Sequence, residues 1–192
     1  SKLISTLETW GTGLGRYDQM MCQQIDELLE ELEKRNMQLA LNFWFHSFLS
    51  ETVWGGGNIA WYTNPYQLVC EAKDFYSSEE AWKYQEKLYR YMIARWGYSR
   101  SMAIWFVVDE VNGTDGWMSG DSIGAANWAR KVHEYFKNND PWNHPTTGTQ
   151  SGGVQEWWNR GYEIFDMAGR EIYEAQGFPI NETGQIDKDK TH

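Results

Sequence analysis

The residues best suited to chemistry sit where an apolar run stops. Met102 to Val108 is almost wholly hydrophobic and ends in two adjacent carboxylates, Asp109 and Glu110. If the run is a buried strand, both acids lie where the chain leaves the sheet. A carboxyl emerging from a dry strand beside another negative charge should have its neutral form favoured, and a proton held near neutral pH is what a general acid needs. The plainer alternative is two charges opening a solvated loop. A second apolar run, Met37 to Phe45, ends in His46, which is either a site residue or a hydrogen-bonded structural histidine. Other motifs are weak. Gly11, Gly13 and Gly15 lack the spacing and the preceding strand of a dinucleotide fingerprint. His46, His133, His144 and His192 show no metal-ligand spacing, and no serine lies in a nucleophile elbow, so no cofactor and no metal is expected. Asn112-Gly113-Thr114 and Asn181-Glu182-Thr183 have the form of N-glycosylation acceptors.

Periodicity indicates the elements that must hold these groups. Asp18 to Arg35 reads as a helix, with Met21, Ile25, Leu28, Leu29 and Leu32 on one stripe and Asp26, Glu27, Glu30, Glu31, Glu33 and Lys34 on a solvated face. Met37 to His46 is too short for another helix and reads as a strand covered on both sides, the habit of parallel sheets. Ser47 to Tyr76 is a long connection broken by Gly55-Gly56-Gly57 and Asn64-Pro65. A second helix is expected from Ser77, with Glu80 completing a capping box and Gly97 as its stop. The second strand, Met102 to Glu110, leads through a polar turn, Asn112 to Gly120, into a third helix over Asp121 to Lys137. That helix has Ile123, Ala126, Trp128, Val132 and Phe136 for packing. Pro145 to Thr149 reads as extended, and Trp157 to Tyr173 as either helix or helix then strand. Residues 1–17 read as a lead-in and 177–192 as a loop or linker. Helix and buried strand in alternation is the pattern of parallel α/β sheets and barrels.

Composition narrows the partners. The 192 residues fit one domain, and a net charge of −10 argues against nucleic acid or anionic lipid as the main partner. No apolar run approaches the ~20 residues that span a bilayer. Cys22 and Cys70 are too few for a disulfide framework and could pair or remain buried thiols. The chain opens at Ser1, as a processed or excised product would. Twelve tryptophans exceed what a core of this size needs, so many are expected at a surface or cleft. Trp54, Trp61, Trp117, Trp157 and Trp158 fall in expected loops, where flat indoles suit the C–H faces of sugar rings.

Ala94 to Ser99, Met102 to Gly113 and Asn139 to Thr147, in this order and spacing, resemble the middle of cellulase-like glycoside hydrolases built on (β/α)8 barrels. The resemblance runs from about Leu14 to Tyr173. It implies an α/β fold of TIM-barrel type, as a partial barrel covering about strands three to six, since a whole barrel takes ~250 residues. It makes Glu110 the acid/base and puts Asp109 where the family has a sugar-contacting Asn. That exchange leaves an acceptor but removes a donor. His46 would stand at the barrel mouth, with Glu171 and Tyr173 near the end of the sixth strand. The family's nucleophile is a second Glu ending the seventh strand. Glu182 is one candidate, and a residue beyond His192 is the preferred one. The expected activity is hydrolysis of a β-linked poly- or oligosaccharide with retention, the second carboxylate lying ~5–5.5 Å from the first. The expected partners are the carbohydrate substrate and the rest of the barrel or a second copy, in an extracellular or periplasmic setting. The alternative is a carbohydrate-binding or scaffold module that keeps the aromatic cleft without catalysis.

Overall fold

The computed structural model describes residues 7–51, 60–152 and 158–171. Its chain runs α1 (Gln19–Lys34), β1 (Leu39–Asn42), α2 (Glu79–Trp96), β2 (Met102–Val108), α3 (Asp115–Met118), α4 (Ser122–Asn139), β3 (Thr146–Ser151), α5 (Asn159–Ile164) and β4 (Met167–Glu171). The four strands form one parallel sheet in the order β1-β2-β3-β4. Every strand therefore pairs with its sequence neighbour through a crossover, and every loop that follows a strand gathers at the sheet's carboxyl edge. In open α/β sheets and barrels that edge is where ligands bind. No helix among the described residues is long and apolar enough to cross a membrane.

Local chemistry sets the helix ends. Asp18 caps α1 by accepting from the Met20 and Met21 amides. Ser78, one residue later than expected, caps α2 through the Ala81 amide. Asp121 caps α4, where Ile123 is 54% exposed rather than packed. Gly97 ends α2 as expected but with an ordinary φ of −61°. Its hydrogen side chain is required because an added Cβ would lie 3.0 Å from the Trp142 ring. The acidic face of α1 is only partly solvated: Asp26 receives Arg95 Nε at 3.0 Å and Trp96 Nε1 at 2.7 Å, and Glu33 receives the Ser99 hydroxyl at 2.6 Å.

Two expectations about burial are corrected. The first strand is shorter than Met37 to His46 and is not covered on both sides: it forms one margin of the described sheet, and Ala40 is exposed. The tryptophans lie mostly inside. Among the described residues Trp44, Trp61, Trp82, Trp96, Trp105, Trp128 and Trp158 are all buried, each removing ~150–250 Å² from water. The polar edges of Trp44, Trp96, Trp105 and Trp128 are bonded to protein acceptors, which offsets the cost of burying those indoles. Trp44 Nε1 donates to Tyr89 Oη at 2.9 Å, that hydroxyl to Gln85 Oε1 at 3.0 Å, and Trp128 Nε1 to the same oxygen at 2.8 Å. Cys22 and Cys70 are both free thiols.

At the opposite edge from the strand ends, Asp140 closes α4. Its carboxylate accepts from Trp105 Nε1 at 2.9 Å, the Trp142 and His144 amides at 3.0 Å, and His144 Nδ1 at 2.7 Å. Burial works against its charge, but these donors outweigh it and hold the carboxyl below its ordinary 3.8. Asp140→Ala strands several buried donors and is expected to cost about 3 kcal/mol, read as a lower midpoint in urea unfolding.

Candidate active site

The site is built on the carboxyl edge of β2. The strand ends at Val108, and the Asp109 amide still reaches Trp44 O at 3.1 Å, extending the pairing with the β1 side by one residue. The chain then turns sharply: Glu110 has φ 46° and ψ 50°, in the left-handed region. Among the described residues the other non-glycines with positive φ are Asn36 and Asn143, a residue type that tolerates it. Glutamate does not, and the conformation costs roughly 1–2 kcal/mol. Strain of this kind persists where the surroundings over-determine it, and it concentrates at functional sites. Here the surroundings are the Gly113 amide, donating to Glu110 O at 2.7 Å, and Thr149 Oγ1, accepting from Glu110 N at 2.9 Å.

The turn buries the Glu110 side chain, 6% exposed, against His46, whose Nδ1 lies 3.0 Å from Glu110 Oε2 and 3.8 Å from Asp109 Oδ1. His46 opens a 3-10 turn, His46–Leu49, just beyond β1, and Asp109 Oδ1 fixes that turn by accepting the His46 amide at 3.0 Å. Burial disfavours the imidazolium, yet the bond to Asp109 and the charges of Asp109, Glu110 and Glu171 outweigh it, raising His46 above 6.5. The cluster thus sets a buried carboxyl and an imidazole nitrogen within 3.0 Å, close enough to share a proton. Asp109 uses its acceptor to place the histidine loop.

Neighbouring loops brace this arrangement. Asp115 accepts from Ser50 Oγ at 2.6 Å and from the Glu51 amide at 2.7 Å, tying the histidine turn to α3. Asn112 donates its amide to Ser151 O at 2.8 Å and accepts from Ser151 N at 3.0 Å, joining the loop after β2 to the end of β3. Thr149 also meets Glu171, Oγ1 to Oε1 at 2.5 Å. Carboxyl-bearing residues from the ends of β2 and β4 therefore meet over one threonine of β3.

The structure brings Asp109, Glu110, His46 and Glu171 to one place, through the contacts of His46 with both acids and the contacts of Thr149 with Glu110 and Glu171. Trp117 is half-buried at the start of the following helix, edge-on to Trp158 with ring centroids 6.2 Å apart. Trp158 stands outside α5, as expected, but is buried against Phe165 rather than open to a cleft, and Gly148 can be nothing larger because a Cβ there would sit 2.6 Å from Phe165. Trp61 is likewise core. Trp54, Trp157, Tyr173 and Glu182 lie outside the described residues. Thr149 was missed. Strand alternation could have found it, since Gly148 faces Trp158 and Phe165 and its neighbours must face the other way. Trp10 and Tyr62 are 56% and 60% exposed on the segments before α1 and after β1.

His46, Asp109 and Glu110 also form the group of ligand-type side chains among the described residues with donor atoms within 4.8 Å of one another. Their spacing in sequence gives no hint of it. The hydrogen bond and short ion-pair contact within the group account for this approach by proton sharing.

No known family matches the chain, and no curated protein does. Among solved structures the fold is similar to endo-glycoceramidase II from Rhodococcus sp., in a complex with a cellobiose-like imidazole. The TM-score is 0.53 and the identity 15%, over 76% of this chain and 40% of that one. At this identity the likeness is one of fold. The chain spans less than half of the neighbour's length.

Proposed function

We propose that this chain carries the acid/base half of a glycoside hydrolase active site on a partial (β/α)8 barrel, corresponding to about strands three to six. The observation that carries the reading is Glu110: a carboxyl buried at the carboxyl edge of a parallel strand, in a strained turn, 3.0 Å from a histidine nitrogen. Glu110 protonates the leaving glycosidic oxygen and then takes a proton from water. His46 and Asp109 hold its surroundings charged and oriented. The substrate class is a β-linked poly- or oligosaccharide, supported by the fold similarity and by Trp117, half-buried on α3 in the connection that follows β2. The nucleophile is a second carboxylate, Glu182 or a residue following this chain.

The test uses the full-length natural polypeptide and a panel of β-linked glucans, mannans and galactans. Release of new reducing ends from at least one glycan is the expected result. Binding to a glycan with no release would overturn catalysis and favour a carbohydrate-binding module.

A further inference from the structure

We propose that Thr149 is a positioning residue of this site: its hydroxyl accepts the Glu110 backbone N–H and directs its own proton to the Glu171 carboxylate, fixing both residues at once. Each half of the clamp is explained by what the partner requires. β2 has ended at Val108, and Glu110, two residues on, is buried. A buried amide left without an acceptor is costly, and Thr149 Oγ1 at 2.9 Å is the acceptor. An N–H can only donate, so the hydroxyl proton is free to point elsewhere, and Glu171 Oε1 stands 2.5 Å away. Thr149 is 7% exposed, and its β-branched side chain has few rotamers, so the oxygen has little freedom. The backbone pairing β3–β4 puts Thr149 beside Gly169, where an added Cβ would lie 2.6 Å from Thr149 Cγ2, so the glycine makes room for the threonine side chain. Glu171 is thereby held among the carboxyl-bearing residues, with Asp109 and Glu110, that act on His46.

The positioning role is tested apart from any activity by following the His46 imidazole by NMR across pH. The groups acting on it are Asp109 and Glu110 at the end of β2 and Glu171 at the end of β4. Thr149→Val keeps the shape and removes the hydroxyl; Thr149→Ser keeps the hydroxyl. Val should lower the His46 titration midpoint and Ser should restore it. Glu171→Gln should lower it as well, and adding Thr149→Val to that variant should change little further, as expected for groups acting as one unit. A folded Thr149→Val protein with the wild-type His46 midpoint overturns the proposal. If the Val variant does not fold, a Glu171→Gln protein with an unmoved midpoint does the same.

The kinetic arm rests on the glycoside-hydrolase reading. There Thr149→Val should lower kcat about 10- to 100-fold, the effect of a small misplacement of the acid, with KM little changed and Ser rescuing kcat. Wild-type kcat in Thr149→Val would overturn the role. A wild-type protein that cleaves no glycan would sink the hydrolase reading alone, since the His46 titration still decides the clamp.

Discussion

Glu110→Gln is expected to lower kcat/KM about 10²–10⁴-fold on glycosides with poor leaving groups, the range in which a positioned proton donor works. The amide keeps the size of the side chain and its contact with His46 but has no proton to give. The loss corresponds to about 3–5 kcal/mol of transition-state stabilisation. It should shrink on activated aryl glycosides, whose leaving group departs without protonation, and substrate binding should survive. The alkaline limb of the wild-type pH profile, which reports the acid, should vanish in the variant. Equal losses on good and poor leaving groups would remove Glu110 from the acid's role.

The second large effect concerns stability and falls on Glu8. This carboxyl is fully buried, accepts the Gly15 amide at 2.6 Å and hydrogen-bonds Tyr66, so it pins the segment before α1 to the loop after β1. Burial raises it from 4.5 to about 7, against the opposing pull of Gly15, Tyr66 and Lys87. The folded protein therefore holds this proton more tightly than the unfolded chain. The stabilisation is complete below about 4.5 and is lost as pH rises through about 7. The difference is worth about 3 kcal/mol. Glu8→Gln cannot ionise. In urea titrations at successive pH values it should match or fall slightly below the wild type at pH ~4 and exceed it at pH ~8, with a crossover between. Parallel curves would contradict the assignment. His46 acts in the same sense, its pairing being complete below 6.5 and lost as pH climbs past its raised value. Asp26, Asp140 and Asp166 act oppositely, each held below 3.8, so their support is present above that value and lost in stronger acid.

The elements were readable where a single pattern dominated. The run from Met102 to Glu110 announced both a strand and its chemical end, and the alternation of helix and strand announced a parallel sheet. The segment around Phe165 left two readings open, and the structure supports helix then strand, α5 and β4. The tryptophans misled because residue type does not say whether an indole N–H will find water or a buried acceptor. Trp44, Trp105 and Trp128 found acceptors inside. β1 misled because an apolar run reports burial of its own residues, not the number of neighbours available to cover them. The contacts that complete the site were illegible for a different reason. Asp109 to His46, Glu110 to Thr149 and Glu8 to Tyr66 join positions far apart in sequence, and no local periodicity encodes them.

The tie between Asn112 and Ser151 bears on the sequon at Asn112-Gly113-Thr114. Both amide atoms of Asn112 are engaged by the Ser151 backbone, and the Thr114 hydroxyl is occupied by Val111 O at 2.7 Å and by Tyr76 Oη at 2.9 Å. An oligosaccharyl-transferring enzyme needs that asparagine in an open, extended peptide. The folded chain is thus closed to it, and an oligosaccharide attached during synthesis would keep β3 from docking against β2.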